Sequence, residues 1–225
     1  MKITGLPFET VHENDLVSIP DAHVAKHDDA DFESMGSSFT PRLQLMTAAS
    51  ELCKKNEFPM NHYAIVKDGK FQDIGEVIEV IVLAWRPKAL DMSDPKGDIL
   101  SSFDLKDDEF KRIKLKSETS DSGCMWGFEY LVYVSEHKAF ATFFMGSASA
   151  RREAPAMKAQ MLKGATMKSK LIESKKYSWF APVVTPCSSP LEAPEQEKLE
   201  EEIEKFNNPP KDDRETVTED DERAR

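Results

Sequence analysis

Between residues 138 and 176 the chain carries nine lysines and arginines against only Glu153 and Glu173, a local net of +7 in a protein whose formal net charge is -11. Within this band Arg151, Arg152, Lys158, Lys163, Lys168, Lys170, Lys175 and Lys176 suit one task, the non-covalent holding of phosphates. Tyr177 and Trp179 follow at once, and single-stranded nucleic acid is typically held by cations along its backbone with aromatic faces under its bases. On alternate strand positions Lys168 and Lys170 project together, leaving Ser169 and Leu171 for the opposite face. Arg42, Arg86 and Lys88 are weaker additions to the same set. The competing view is a solvated strand face with Trp179 in the core. It does not readily account for so large a positive excess in so acidic a chain.

Other chemistry is less well supplied. The junction Phe144-Met-Gly-Ser-Ala-Ser149 resembles an anion-binding turn, because free N–H groups at a helix start attract negative charge. It lacks the Gly-Lys-Ser/Thr core of a Walker loop, and Ser147 or Ser149 acting as a plain helix cap competes with that view. Ser122-Gly-Cys-Met-Trp-Gly127 offers a thiol with no His or acid nearby to activate it, and reads as a glycine-bounded loop feeding a strand. His23 and His27 lie four apart beside Asp21, Asp28, Asp29 and Asp31, yet no apolar face fixes a helix to present them to a metal. No catalytic residue, metal or cofactor is assigned, and the function expected is non-enzymatic. Cys53, Cys124 and Cys187, odd in number and far apart, match neither a disulfide framework nor paired zinc cysteines.

The elements that must position the band are mostly strands. Arg42 to Met46 alternates; His62 to Val66, a turn at 67–70 and Phe71 make a hairpin. Glu76 to Trp85 is a continuous β-branched strand whose second half must be covered on both faces, ending at Arg86-Pro87. Residues 91–122 are a polar insertion with one short helix near 107–114. Phe128–Val134 and Ala139–Met145 form a second hairpin, and Met167–Glu173 with Ser178–Thr185 a third. Pro155 suits a first helical position and Gly164 a position just past the end, so a helix over about 155–163 is expected, with a start from Ser149 as the variant. About seven strands and one embedded helix, without strand–helix alternation, predict a mainly β, α+β domain: an antiparallel barrel of the oligonucleotide-binding (OB) type, or a small β-sandwich.

Charge divides the chain. Residues 1–38 read as an acidic arm, 39–190 as the β-rich domain and 191–225 as an acidic C-terminal segment, where 14 acids face six bases. Leu199, Ile203 and Phe206 give that segment a helical apolar stripe able to dock, and residues beyond Asn207-Asn-Pro-Pro210 are expected to be disordered. No apolar run nears the roughly 20 residues of a membrane span, and MKITGLPFET lacks a signal peptide's pattern, so a soluble, cytoplasmic protein is expected.

A strand ending in Gly-Ser, a basic helix from Arg151 to Lys163, a lysine-rich strand, Lys176-Tyr-Ser-Trp179 and a Pro-bearing strand, followed by an acidic tail, resemble in layout the second half of bacteriophage single-stranded-DNA-binding proteins of the OB-fold type. The resemblance covers roughly 138–225. It implies sequence-nonspecific binding of single-stranded DNA in phage replication or recombination, in the host cytoplasm, with the tail contacting replication proteins. Such tails often finish on acids and a terminal aromatic, whereas this sequence finishes Glu222-Arg-Ala-Arg225. The same residues leave room for a homo-oligomer, and for a structural or assembly protein that turns the basic patch to a protein partner.

Overall fold

The computed structural model describes residues 40–94, 97, 99–119, 122–173 and 178–208. The arm with His23 and His27, the tail beyond 208, and Lys175, Lys176 and Tyr177 lie outside the described residues. Among the described residues nine strands form one sheet in the order β3-β2-β1-β7-β6-β4-β8-β9, with β5 paired to β4 off this path. They are β1 (Arg42–Leu45), β2 (Tyr63–Lys67), β3 (Lys70–Gly75), β4 (Val77–Asp91), β5 (Leu100–Ser102), β6 (Cys124–Val134), β7 (Ala139–Met145), β8 (Gly164–Glu173) and β9 (Ser178–Pro186). Among the described residues four helices accompany them: α1 (Glu51–Lys54), α2 (Asp108–Lys116), α3 (Ala148–Ala159) and α4 (Gln196–Asn207).

The protein is mainly β as expected, but neither the closed barrel nor the two-sheet sandwich is formed. Strands β4, β6 and β7 run as an antiparallel meander and β8 returns to lie beside β4, a Greek key with α3 in the long connection. The outer edge of β7, through which a barrel would close, is taken by β1, which pairs with it in parallel at Arg42↔Thr142 and Leu43↔Phe143. The sheet nevertheless curls. Tyr63 on β2 donates its hydroxyl to the Lys168 carbonyl on β8 at 3.1 Å, although four strands separate them in the path.

Curling creates an inner face filled by Leu43, Tyr63, Ile78, Val80, Val82, Tyr130, Val132, Phe143, Met145 and Met167. α3 seals it with Ala150, Ala154 and Met157, spaced for one helical stripe, and Tyr130 donates its hydroxyl to the Ala154 carbonyl at 2.7 Å. Burial pushes the Tyr130 phenol up to about 12. On the opposite face α4 lays Leu199, Ile203 and Phe206 over Leu83, Leu131 and Tyr133, the docking its apolar stripe allows. Alternation along β4 sends Val82 inward and Leu83 outward, so this half of the strand is covered on both sides.

Several boundaries differ from the sequence reading. β4 passes through Pro87 to Asp91, because Pro87 falls between the stretch paired with β8, Val77–Ile81, and the stretch paired with β5, Ala89–Asp91, where no partner needs its missing donor. Residues 124–127 are strand rather than loop, paired with Lys88 to Asp91. α3 runs from Ala148 to Ala159, so it holds Pro155 inside and ends short of the expected 163, where Leu162 turns to positive φ and donates its N–H to the Val82 carbonyl at 2.7 Å. At the start the Ser147 hydroxyl accepts from the Ala150 N–H at 3.2 Å, and this cap plus the buried stripe outweigh the proline. The edge strand β9 offers little to a stranger. Pro182 and Pro186 have no N–H, and Val184 between them donates to Glu153 of α3 at 3.3 Å.

Candidate nucleic-acid interface

α3, the turn after it and β8 hold most of the described part of the basic band. Arg152, Lys158, Lys163, Lys168 and Lys170 are exposed, and among the described residues none has a carboxylate within ion-pair distance. At α4, Glu195 of the N-cap pairs with Lys198, and Glu201 and Glu202 pair with Lys205, while Lys138 at the band's margin meets Glu192 at 3.8 Å. Lys168 and Lys170 face the same side of β8, opposite Val183 and Ala181 of β9. Trp179, paired with Ile172, stands on that side too. It is partly buried, and its indole N–H donates to Ser149 Oγ at 3.3 Å, so it joins the lysine track to the first turn of α3.

Arg151 is placed differently from its neighbours. Its guanidinium donates to the Trp126 carbonyl at 2.9 Å and to the Gly146 carbonyl, and its carbon lies 4.7 Å from the Trp126 ring centroid. Burial lowers its pKa, as expected for a cation withdrawn from water. The strand–helix junction is therefore capped by Ser147 and braced by Arg151. Gly127 makes the close approach possible: a side chain there would meet the Met145 carbonyl oxygen at 2.1 Å.

The sequence reading passed over the aromatic residues beneath this brace. Trp126 and Phe128 are two apart on β6, and Phe128 opposes Pro87, two residues from Trp85 on β4. The three side chains share one face as a row, with centroid separations of 6.2 Å for Trp126–Phe128 and 5.8 Å for Phe128–Trp85, each edge to face. All three stay partly exposed. Cations stand over both ends: Lys158 Nζ is 3.9 Å from the Trp85 centroid, and Lys114 Nζ, from α2, is 4.3 Å from that of Trp126. The two-residue spacing of Trp126 and Phe128 was a usable signal, masked because 122–127 read as a loop.

Arg86 and Lys88 are already answered. They project to the other face, where Glu129, 3% exposed, takes Arg86 Nη2 at 2.6 Å and Lys88 Nζ at 2.5 Å. Burial alone would raise the Glu129 pKa, but Lys88 and Arg86 outweigh it and hold the carboxyl below its usual range. Arg86 also donates to the Phe206 carbonyl and lies 3.9 Å and 4.2 Å from the Phe103 and Phe206 ring centroids. Arg42 stands on β1, separated from β8 in the sheet by β7, β6 and β4. Cys124 is buried, and burial with the adjacent Asp91 carboxylate pushes its thiol up to about 11, well above a reactive value. Among the described residues no group of three His, Cys, Asp or Glu is placed to hold a metal ion, and no helix is long and apolar enough to cross a membrane.

Fold and site together define a β-rich, open-sheet protein with the aromatic row on the sheet face that α3 seals and the exposed Lys168 and Lys170 on the opposite face, beside Val77. No protein-family model, curated protein or solved structure matches the chain.

Proposed function

We propose that this protein binds single-stranded DNA without sequence specificity, in the replication or recombination of DNA, as its resemblance to phage proteins of that kind implies. The observation that carries the reading is the set of exposed cations on α3 and β8 that have no carboxylate partner among the described residues, in a chain of 41 acids and 30 bases. Exposed cations that the protein's own described carboxylates leave unanswered favour a polyanionic ligand. Connectivity supports it as well: β4, β6, β7, β8 and β9 form a five-stranded Greek key with a helix before the fourth strand, the type of framework on which OB proteins hold oligonucleotides. The β1–β3 extension departs from that type by occupying β7's free edge. The protein needs no cofactor for this role, and the acidic segment beyond α4 is the part offered to replication proteins.

Fluorescence anisotropy of a labelled oligothymidylate, competed by unlabelled single strands and by duplex of the same length, tests the proposal. Single strands should compete more strongly than duplex at every salt concentration. Equal or stronger competition by duplex, or no binding at low salt, overturns it.

A further inference from the structure

We infer that the row Trp85–Phe128–Trp126 is the base-stacking platform of this surface, with Lys158 and Lys114 as charges that pass from ring face to phosphate when a strand arrives. The inference rests on the single-stranded DNA reading and deepens it by fixing where the bases lie. Three large rings side by side, each partly open to solvent, are an arrangement a sheet normally covers. Here Trp85 and Phe128 pack by one side on the inner core and Trp126 on the α2 cluster, and the helices leave the rest of each ring open. α3 spends Ala150, Ala154 and Met157 on the inner core, and α2 spends Phe110 and Ile113 on Ala89 and Cys124.

What the helices bring over the rings instead is charge. Lys158 and Lys114 have no carboxylate within ion-pair distance among the described residues, and each stands over a tryptophan at 3.9 and 4.3 Å. Such a lysine is poised: the ring offers it a weak hold, and a phosphate offers a stronger one. Arg151, fixed by two carbonyls, keeps the Trp126 end of the row from shifting. Arg151 and Lys158 are seven residues apart on α3, about 10.5 Å of helix, so one cation serves each end of the row. The occupant is single-stranded because paired bases cannot present a free face to a protein ring, and stacking tolerates any base. Trp179 remains a joint between α3 and the lysine track.

The chain's three tryptophans supply the test. In full-length protein Trp179→Phe removes one indole and leaves two reporters, while the double variant Trp85→Phe/Trp126→Phe leaves Trp179 alone. Each is titrated with oligothymidylate while indole fluorescence and the anisotropy of the labelled oligonucleotide are read on the same samples. Quenching should persist in Trp179→Phe and be largely lost in the double variant. Lys114→Gln/Lys158→Gln, two surface changes that spare the core, should weaken binding about 10-fold or more. Binding by anisotropy with quenching that follows Trp179, or with unchanged affinity in the glutamine variant, places the bases elsewhere and overturns this inference alone. Absence of binding in the unaltered protein overturns the parent reading as well.

Discussion

Replacing Glu129 by Gln keeps the shape of a buried side chain and removes its charge. The carboxylate is 3% exposed and answers two cations that are themselves only 17% and 18% exposed. Removing one partner of a buried ion pair costs about 3–5 kcal/mol, because the charge left behind has neither water nor a counter-ion. The amide oxygen still accepts one hydrogen bond, which returns about 1 kcal/mol. The expected loss is therefore about 2–4 kcal/mol, a large share of the roughly 5–15 kcal/mol available to a domain. Urea denaturation at pH 7 measures it, and Lys88→Met added to Glu129→Gln should restore part of the loss by removing one orphaned cation. The pH dependence follows from the depressed folded pKa. The contribution is complete above the unfolded value of about 4.3 and is lost as pH falls through the lower folded value, so the gap between the two proteins should close in acid. A loss below about 1 kcal/mol at pH 7, or a gap that stays constant through acid pH, would refute this reasoning.

Other substitutions probe the elements that hold the surface. Gly127→Ala drives a methyl group against the Met145 carbonyl and the Gly146 Cα, 2.1 and 2.8 Å from its position, and should destabilise by about 1–3 kcal/mol in a thermal melt. Its near-ultraviolet dichroism should also change, since Trp126 is the adjacent residue. Phe206→Ala empties the contact of α4 with Leu83, Leu131 and Tyr133; at 3% exposure it should cost about 3 kcal/mol or more by urea titration and raise proteolysis within 196–207.

Much of the fold was legible because strand signals here are local. Asp68-Gly69, both at positive φ, make the tight β2–β3 turn, and the β-branched run through β4 is covered on both faces as its composition requires. The failures share a cause: pairing partners distant in sequence decided the outcome. Pro87 ends a strand only where a neighbour needs its N–H, and here it faces the interval between β8 and β5. Pro155 looked like a helix start, yet the Ser147 cap and the Ala150–Ala154–Met157 stripe carry α3 through it. Barrel closure failed because β1, over 90 residues before β7, takes its edge in parallel.

The site was legible in part. Exposure of Arg152 and Lys158 follows from helical spacing and that of Lys168 and Lys170 from alternation, whereas Lys163 is exposed in the turn past the end of α3, and Arg151 looked the same in sequence and is committed to two carbonyls. Arg86 and Lys88 could not be discounted without seeing Glu129 across the ladder. The aromatic row spans two strands and its cations two helices, a juxtaposition no single stretch of sequence displays.

If this protein holds single-stranded DNA, the exposed cations of β8 neutralise phosphates. Affinity for oligothymidylate should be measured across a salt series for the unaltered protein and for Lys168→Gln/Lys170→Gln, with folding checked by circular dichroism. Log affinity should fall linearly with log salt in both, and the variant's slope should be shallower by about 1.4, or 0.7 for each phosphate contact removed. A variant that binds with the affinity and slope of the unaltered protein would contradict the claim that these two lysines contact phosphates.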